Sequence, residues 1–145
     1  MVDGAYHRPP AIAARDDVEI RLGAEAVHLP VVRAVAVNIA MRADLDLDAI
    51  SDLELAVDEA CSSLIVIADP GSLLTCRFTV AADDIVFRAS VDSGKEAPST
   101  RTFGWRVLAT LTDRARSWSE AGQVHIELAK AKPSTVPANR AEEIQ

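Results

Sequence analysis

The stretch Ile50-Ser51-Asp52-Leu53-Glu54-Leu55-Ala56-Val57-Asp58-Glu59-Ala60-Cys61-Ser62-Ser63-Leu64-Ile65-Val66-Ile67-Ala68 decides how the rest of the chain is read. Ile50, Leu53, Val57, Cys61, Leu64 and Ala68 recur in steps of three and four, the period of an α-helix, and Pro70-Gly71 stops the pattern. This stripe is expected to face a sheet. At about 100° per residue Leu55, Val66 and Ile67 point well away from it, so a helix, a partner chain or a ligand should cover a second surface. The start of the helix is open between the acidic stretch 44–48 and the Ser51-x-x-Glu54 capping box.

Working outward, Val18, Ile20 and Leu22 alternate with Glu19 and Arg21 as in a half-buried strand. Residues 30–42 place Val31, Val35 and Ile39 at helical spacing, with Pro30 where a first turn tolerates it. Downstream, Leu74, Cys76, Phe78 and Val80 alternate, as do Ile85, Phe87, Ala89 and Val91 beyond Asp83-Asp84, which predicts a hairpin. A Gly, Pro and hydroxyl-rich loop over 92–102 feeds a third helix, 104–112. A last hairpin joins 116–119 to Val124, Ile126 and Leu128 around Ala121-Gly122. The order is β-α-α-β-β-loop-α-β-β. It argues for an α+β two-layer sandwich, with helices on one face of a mixed, mostly antiparallel sheet. The domain is expected over 17–130, between Pro-containing tails at 1–16 and 131–145.

Composition bounds the function. Of 145 residues 49% are hydrophobic and 26% charged, enough apolar surface for one core. A net charge of −7 opposes direct binding of nucleic acid. Cys61 and Cys76 fall in apolar patterns with no ligand spacing around them, and read as buried reduced thiols. His7, His28 and His125 are scattered and suggest neither a catalytic histidine nor a metal site. The opening residues lack a signal-peptide pattern and no apolar run reaches a membrane span, so the expected location is the cytoplasm.

The segment from Glu54 to Ser63 resembles the N-box helix of GHKL (histidine-kinase-like) ATPases, in particular the RsbW and SpoIIAB anti-sigma factors, among which the mycobacterial antagonists of sigma F are most alike. Asp92-Ser93-Gly94, at the end of a strand, resembles that family's Asp-x-Gly-x-Gly box, and Thr102-Phe103-Gly104-Trp105 its lid end and following helix. The likeness runs from about Val18 to Lys130. It implies that Glu59 is the general base taking a proton from a substrate serine. Ser63 stands where the family has a magnesium-binding asparagine, a carboxylate and an oxygen ligand four residues apart sharing one helix face. Asp92 would accept a hydrogen bond from the adenine amino group, Gly94 would admit the base, and Gly104 would bring helix amides to phosphate. Arg33 would contact a partner. The implied cofactors are ATP and Mg2+. The implied partners are a sigma factor and a STAS-type anti-anti-sigma factor, with the chain itself a homodimer.

The chain departs from that pattern at Ser63, at Lys95-Glu96 where the box's second glycine belongs, and at Thr102 in place of the first lid glycine. Each residue also has a plainer reading. Glu59 can be a solvated helix acid, Asp92 a turn former, Gly94 and Gly104 relief of backbone strain, Arg33 a surface charge, and Trp105 a packing aromatic. Two functions follow: a sequestering anti-sigma factor, able to act as a serine kinase if the pocket is competent, or a degenerate domain that binds and dimerises without nucleotide chemistry. Both rest on one expected geometry: two α-helices lying across a sheet so that Glu59 and Asp92 open onto a common hollow.

Overall fold

The computed structural model describes residues 17–133; the expected tails lie almost wholly outside them. The elements follow in the anticipated order. Strand β1 (Asp17–Gly23) leads through a single 3-10 turn (Ala26–His28) into α1 (Leu29–Arg42) and α2 (Leu47–Ile67). The β2 (Leu73–Val80) and β3 (Asp84–Asp92) hairpin precedes α3 (Phe103–Leu111), and β4 (Arg114–Glu120) and β5 (Gln123–Ala131) close the chain. The sheet order is β1-β2-β3-β5-β4 and every pairing is antiparallel, so the parallel component of a mixed sheet is not found among the described residues. Pairing also passes the expected boundary at 130: β5 runs to Ala131, and the Lys132 amide donates to the Asp83 carbonyl.

Alternation sorts each strand's side chains by face. Leu74, Cys76 and Phe78, then Ile85, Phe87, Ala89 and Val91, then Val124, Ile126 and Leu128 are buried under the helices. Phe78 and Phe87 sit side by side with ring centroids 4.8 Å apart. From above, α2 lowers Leu53, Val57, Cys61 and Leu64 onto them. Ile50 and Ala68, at the ends of that stripe, are half-buried. Small buried residues on both helices, Ala36 and Ala40 on α1 and Ala56 and Ala60 on α2, allow their close packing. The second apolar surface of α2 divides: Ile67 is half-buried, whereas Leu55 and Val66 are 53% and 78% exposed.

The start of α2 is settled in favour of the acidic stretch. Asp46 is extended, and its carboxylate accepts the Ala49 amide at 2.8 Å, satisfying one of the helix's free N–H groups. Ser51 lies inside the helix. At the β4–β5 turn, Ala121 and Gly122 take φ of 54° and 78°, the left-handed pair that a two-residue hairpin turn demands.

Candidate functional site

Three of the expected site residues meet where α2 passes the start of α3. Glu59 and Ser63 lie one turn apart on α2, and the Ser63 hydroxyl donates to Glu59 Oε2 at 3.2 Å. Thr102 caps α3, its Oγ1 accepting the Trp105 amide at 3.1 Å, and Gly104 follows as the second helical residue. A methyl group on Gly104 would fall on Glu59 Oε2 and come within 3.1 Å of its Cδ. The glycine is therefore needed so that the carboxylate can lie against the first turn of α3, where the partial positive end of the helix favours an anion.

Asp92 does not join them. Ile85, Phe87, Ala89 and Val91 point to the helices, so the alternating residues Val86, Arg88, Ser90 and Asp92 point to the opposite face. There the Asp92 carboxylate accepts from the side-chain amide of its cross-strand neighbour Gln123 at 3.0 Å. The expected hollow shared by Glu59 and Asp92 is thus not formed, because the sheet lies between them. The inward position belongs to Ser93, which is buried and donates to the Ile67 carbonyl at 2.6 Å while accepting the Lys95 amide at 3.0 Å.

Residues 69–72 tie this strand end to the end of α2. The Asp69 amide donates to the Asp92 carbonyl, the Asp92 amide to Ser72 Oγ, and the Gly94 amide to Asp69 Oδ1. Nothing lies within 4 Å of a side chain built on Gly94, so no neighbouring atom requires a glycine there. Asp69, Ser72 and Ser93 went unnoticed in the sequence. The alternation that buries Val91 already places residue 93, and not 92, on the helix side.

Arg33 reaches from α1 to α2 and pairs with Asp58 at 2.6 Å, with about a third of each side chain exposed. Trp105 is half-buried and packs against the core. Cys61 and Cys76 are fully buried with their Sγ atoms 3.9 Å apart; the hydrogen bond between the thiols, then burial, pushes the Cys61 thiol well above its ordinary value. Among the described residues no group of three His, Cys, Asp or Glu side chains could hold a metal ion. No described helix is long and apolar enough to cross a membrane.

These residues do not fit Mg-ATP held as the resemblance implies. A base-reading acid must share a side with the phosphate end of the site, and Asp92 is across the sheet from Gly104. At that end the Glu59 carboxylate already lies against α3, and the Ser63 hydroxyl is directed at Glu59. Ser63 also stands where the family has a carboxamide oxygen, and a hydroxyl is the weaker magnesium ligand.

Residues 22–130 match the model of the histidine kinase-like ATPase domain. Two curated relatives, the anti-sigma-F factor RsbW of two Mycobacterium tuberculosis strains, are each 33% identical over 107 residues. That alignment covers 73% of this chain, and the chain spans 64% of the length of those relatives. A crystal structure of the RsbU and RsbW domains of Rv1364c from Mycobacterium tuberculosis superposes with a TM-score of 0.67 at 16% identity, over 81% of this chain and 33% of that one. It shares the fold. With two layers in the expected order and a family match over 109 of 145 residues (22–130), the chain belongs to the histidine kinase-like ATPase domain family.

Proposed function

We propose that this chain is an anti-sigma factor that works in the cytoplasm as a homodimer, sequesters an alternative sigma factor and is released by a STAS-type anti-anti-sigma protein. The observation that carries the reading is the 33% identity over 107 residues to anti-sigma-F factors. The helical layer supports it physically. Val31 on α1 and Leu55 and Val66 on α2 leave 48%, 53% and 78% of their surfaces exposed, apolar area that a partner can bury. Arg33 lies on the same layer, and its guanidinium can exchange Asp58 for a carboxylate of the partner. Calorimetry of the purified chain with its cognate sigma factor tests the proposal. Saturable binding weakened by Leu55→Asp and Arg33→Ala is expected; no binding by the intact chain refutes it.

Phosphorylation of the antagonist is the second reading, favoured by the family and by the meeting of Glu59, Ser63 and Gly104. The placement of Asp92 argues for binding alone. Titrating the chain with Mg-ATP while following tryptophan fluorescence separates the two. A flat response, confirmed by calorimetry, leaves partner binding, whereas saturation with label transfer to the antagonist that Glu59→Ala abolishes restores the kinase.

A further inference from the structure

Helix α2 is the middle of the helical layer: Arg33 ties it to α1 through Asp58, and Gly104 brings the start of α3 against Glu59. Over its 21 residues it carries the acids Asp48, Asp52, Glu54, Asp58 and Glu59, and neither lysine nor arginine. Among the described residues Asp52 pairs with Lys130 and Asp58 with Arg33, whereas Asp48, Glu54 and Glu59 have no cation. Leu53, Val57, Cys61 and Leu64 are buried against the sheet. On the opposite side of the helix, at about 100° per residue, Asp48, Leu55, Glu59, Ser62 and Val66 fall within about 60° of one another.

This outward stripe differs from an ordinary solvated helix face. Leu55 and Val66 are both exposed, about three turns or roughly 16 Å apart, and the half-buried Glu59 carboxylate lies between them. Phe103, the first residue of α3 and neighbour of the glycine that receives Glu59, is 80% exposed. Glu59 Oε2 takes the Ser63 hydroxyl, leaving Oε1 without a donor among the described residues. Anything that covers Leu55 and Val66 therefore also covers an acid that needs a new partner, because a carboxylate removed from water must be paired.

We infer that the outward stripe of α2 is a docking track for a cationic amphipathic helix of the captured sigma factor. That helix carries apolar residues about three turns apart, which cover Leu55 and Val66, and between them a Lys or Arg that pairs with Glu59. The inference rests on the anti-sigma reading above and adds the chemistry of the segment that is held. Charge selects this occupant. A second copy of the chain laid on the same stripe would bring together two α2 helices rich in acids and devoid of cations. Nucleic acid and an anionic lipid surface are repelled by the same carboxylates and by the net charge of −7. A neutral apolar helix would bury Glu59 without a partner.

Calorimetry of the full chain with its cognate sigma factor, repeated over a range of salt concentrations, tests the track. Added salt should weaken the wild-type complex. Glu59→Gln keeps the side-chain shape and an acceptor for Ser63, and is expected to weaken binding about fivefold and to flatten the salt dependence. Val66→Ser, at an exposed position where the fold is not at stake, should weaken binding on the order of tenfold with the salt dependence unchanged. Asp83→Asn, an exposed acid in the β2–β3 turn, should leave both readouts alone. A complex indifferent to Glu59→Gln or to Val66→Ser overturns the track while leaving the anti-sigma reading intact. A wild-type chain that binds no sigma factor overturns both. If Val66→Ser instead dissociates a homodimer of the chain alone in sedimentation equilibrium, a second copy covers the stripe and the inference fails.

Discussion

The contact between Glu59 and Gly104 gives a sharp energetic prediction. Alanine is ordinarily the better helix former, and Gly→Ala within a helix gains up to about 1 kcal/mol. At Gly104 the new methyl group would land on the Glu59 carboxylate, the mobile end of a side chain, so the glutamate can yield by rotating away. Rotation gives up the Ser63 hydrogen bond, about 1 kcal/mol, and the favourable placement of the anion at the start of α3, about 0.3–1 kcal/mol at a partly exposed site. Gly104→Ala in the wild-type chain should therefore be neutral to about 1 kcal/mol destabilising. In a Glu59→Ala background nothing remains to displace, and the same change should stabilise. The coupling between the two positions is thus about 1–2 kcal/mol. Urea denaturation of the four proteins, followed by circular dichroism, measures it through the midpoints at constant slope. Effects that add within about 0.5 kcal/mol would show that the two residues do not touch, and the reading of this corner as self-occupied would fall with them.

Other consequences can be checked on the same purified chain. Thr102→Ala removes the cap of α3 and should cost about 1 kcal/mol in urea denaturation, with Thr102→Ser restoring most of it. Leu64→Ala opens a hole in the fully buried stripe of α2 and should cost about 2–5 kcal/mol by the same measurement. Burial, and then the charge of Arg88, lowers the His125 pKa, so the unfolded chain takes up that proton first. Its effect on stability is nil above the ordinary value near 6.5 and becomes a loss as pH falls below it; His125→Gln should flatten that part of the melting-temperature profile. Burial pushes the Glu127 carboxyl up, but its bonds to Arg88 and Arg116 outweigh this and hold it below its usual range. Glu127 therefore stabilises the fold above about pH 4.5 and loses that effect as pH falls through its lowered native value, a second and separate acid limb that Glu127→Gln should remove.

The elements were legible because each rests on a local period. Alternation in Ile85, Phe87, Ala89 and Val91 and steps of three and four from Leu53 to Leu64 depend only on near neighbours and on one apolar layer to face. The site was less legible because a motif gives spacing along the chain, whereas a site needs side chains on one side of a sheet. Asp92 shows the difference. The Asp-x-Gly pattern fixes a position along the chain, and the pleat sends neighbouring positions to opposite faces of the molecule. Strand parity, already present in the burial of Val91, decides between them and turns Asp92 toward Gln123. Arg33 with Asp58, and Glu59 with Gly104, are separated by 25 and 45 residues, so no local period carries them. The same pleat parts Asp92 from Glu59, so in this chain strand parity, and not spacing along the chain, decides which side of the sheet each acid serves.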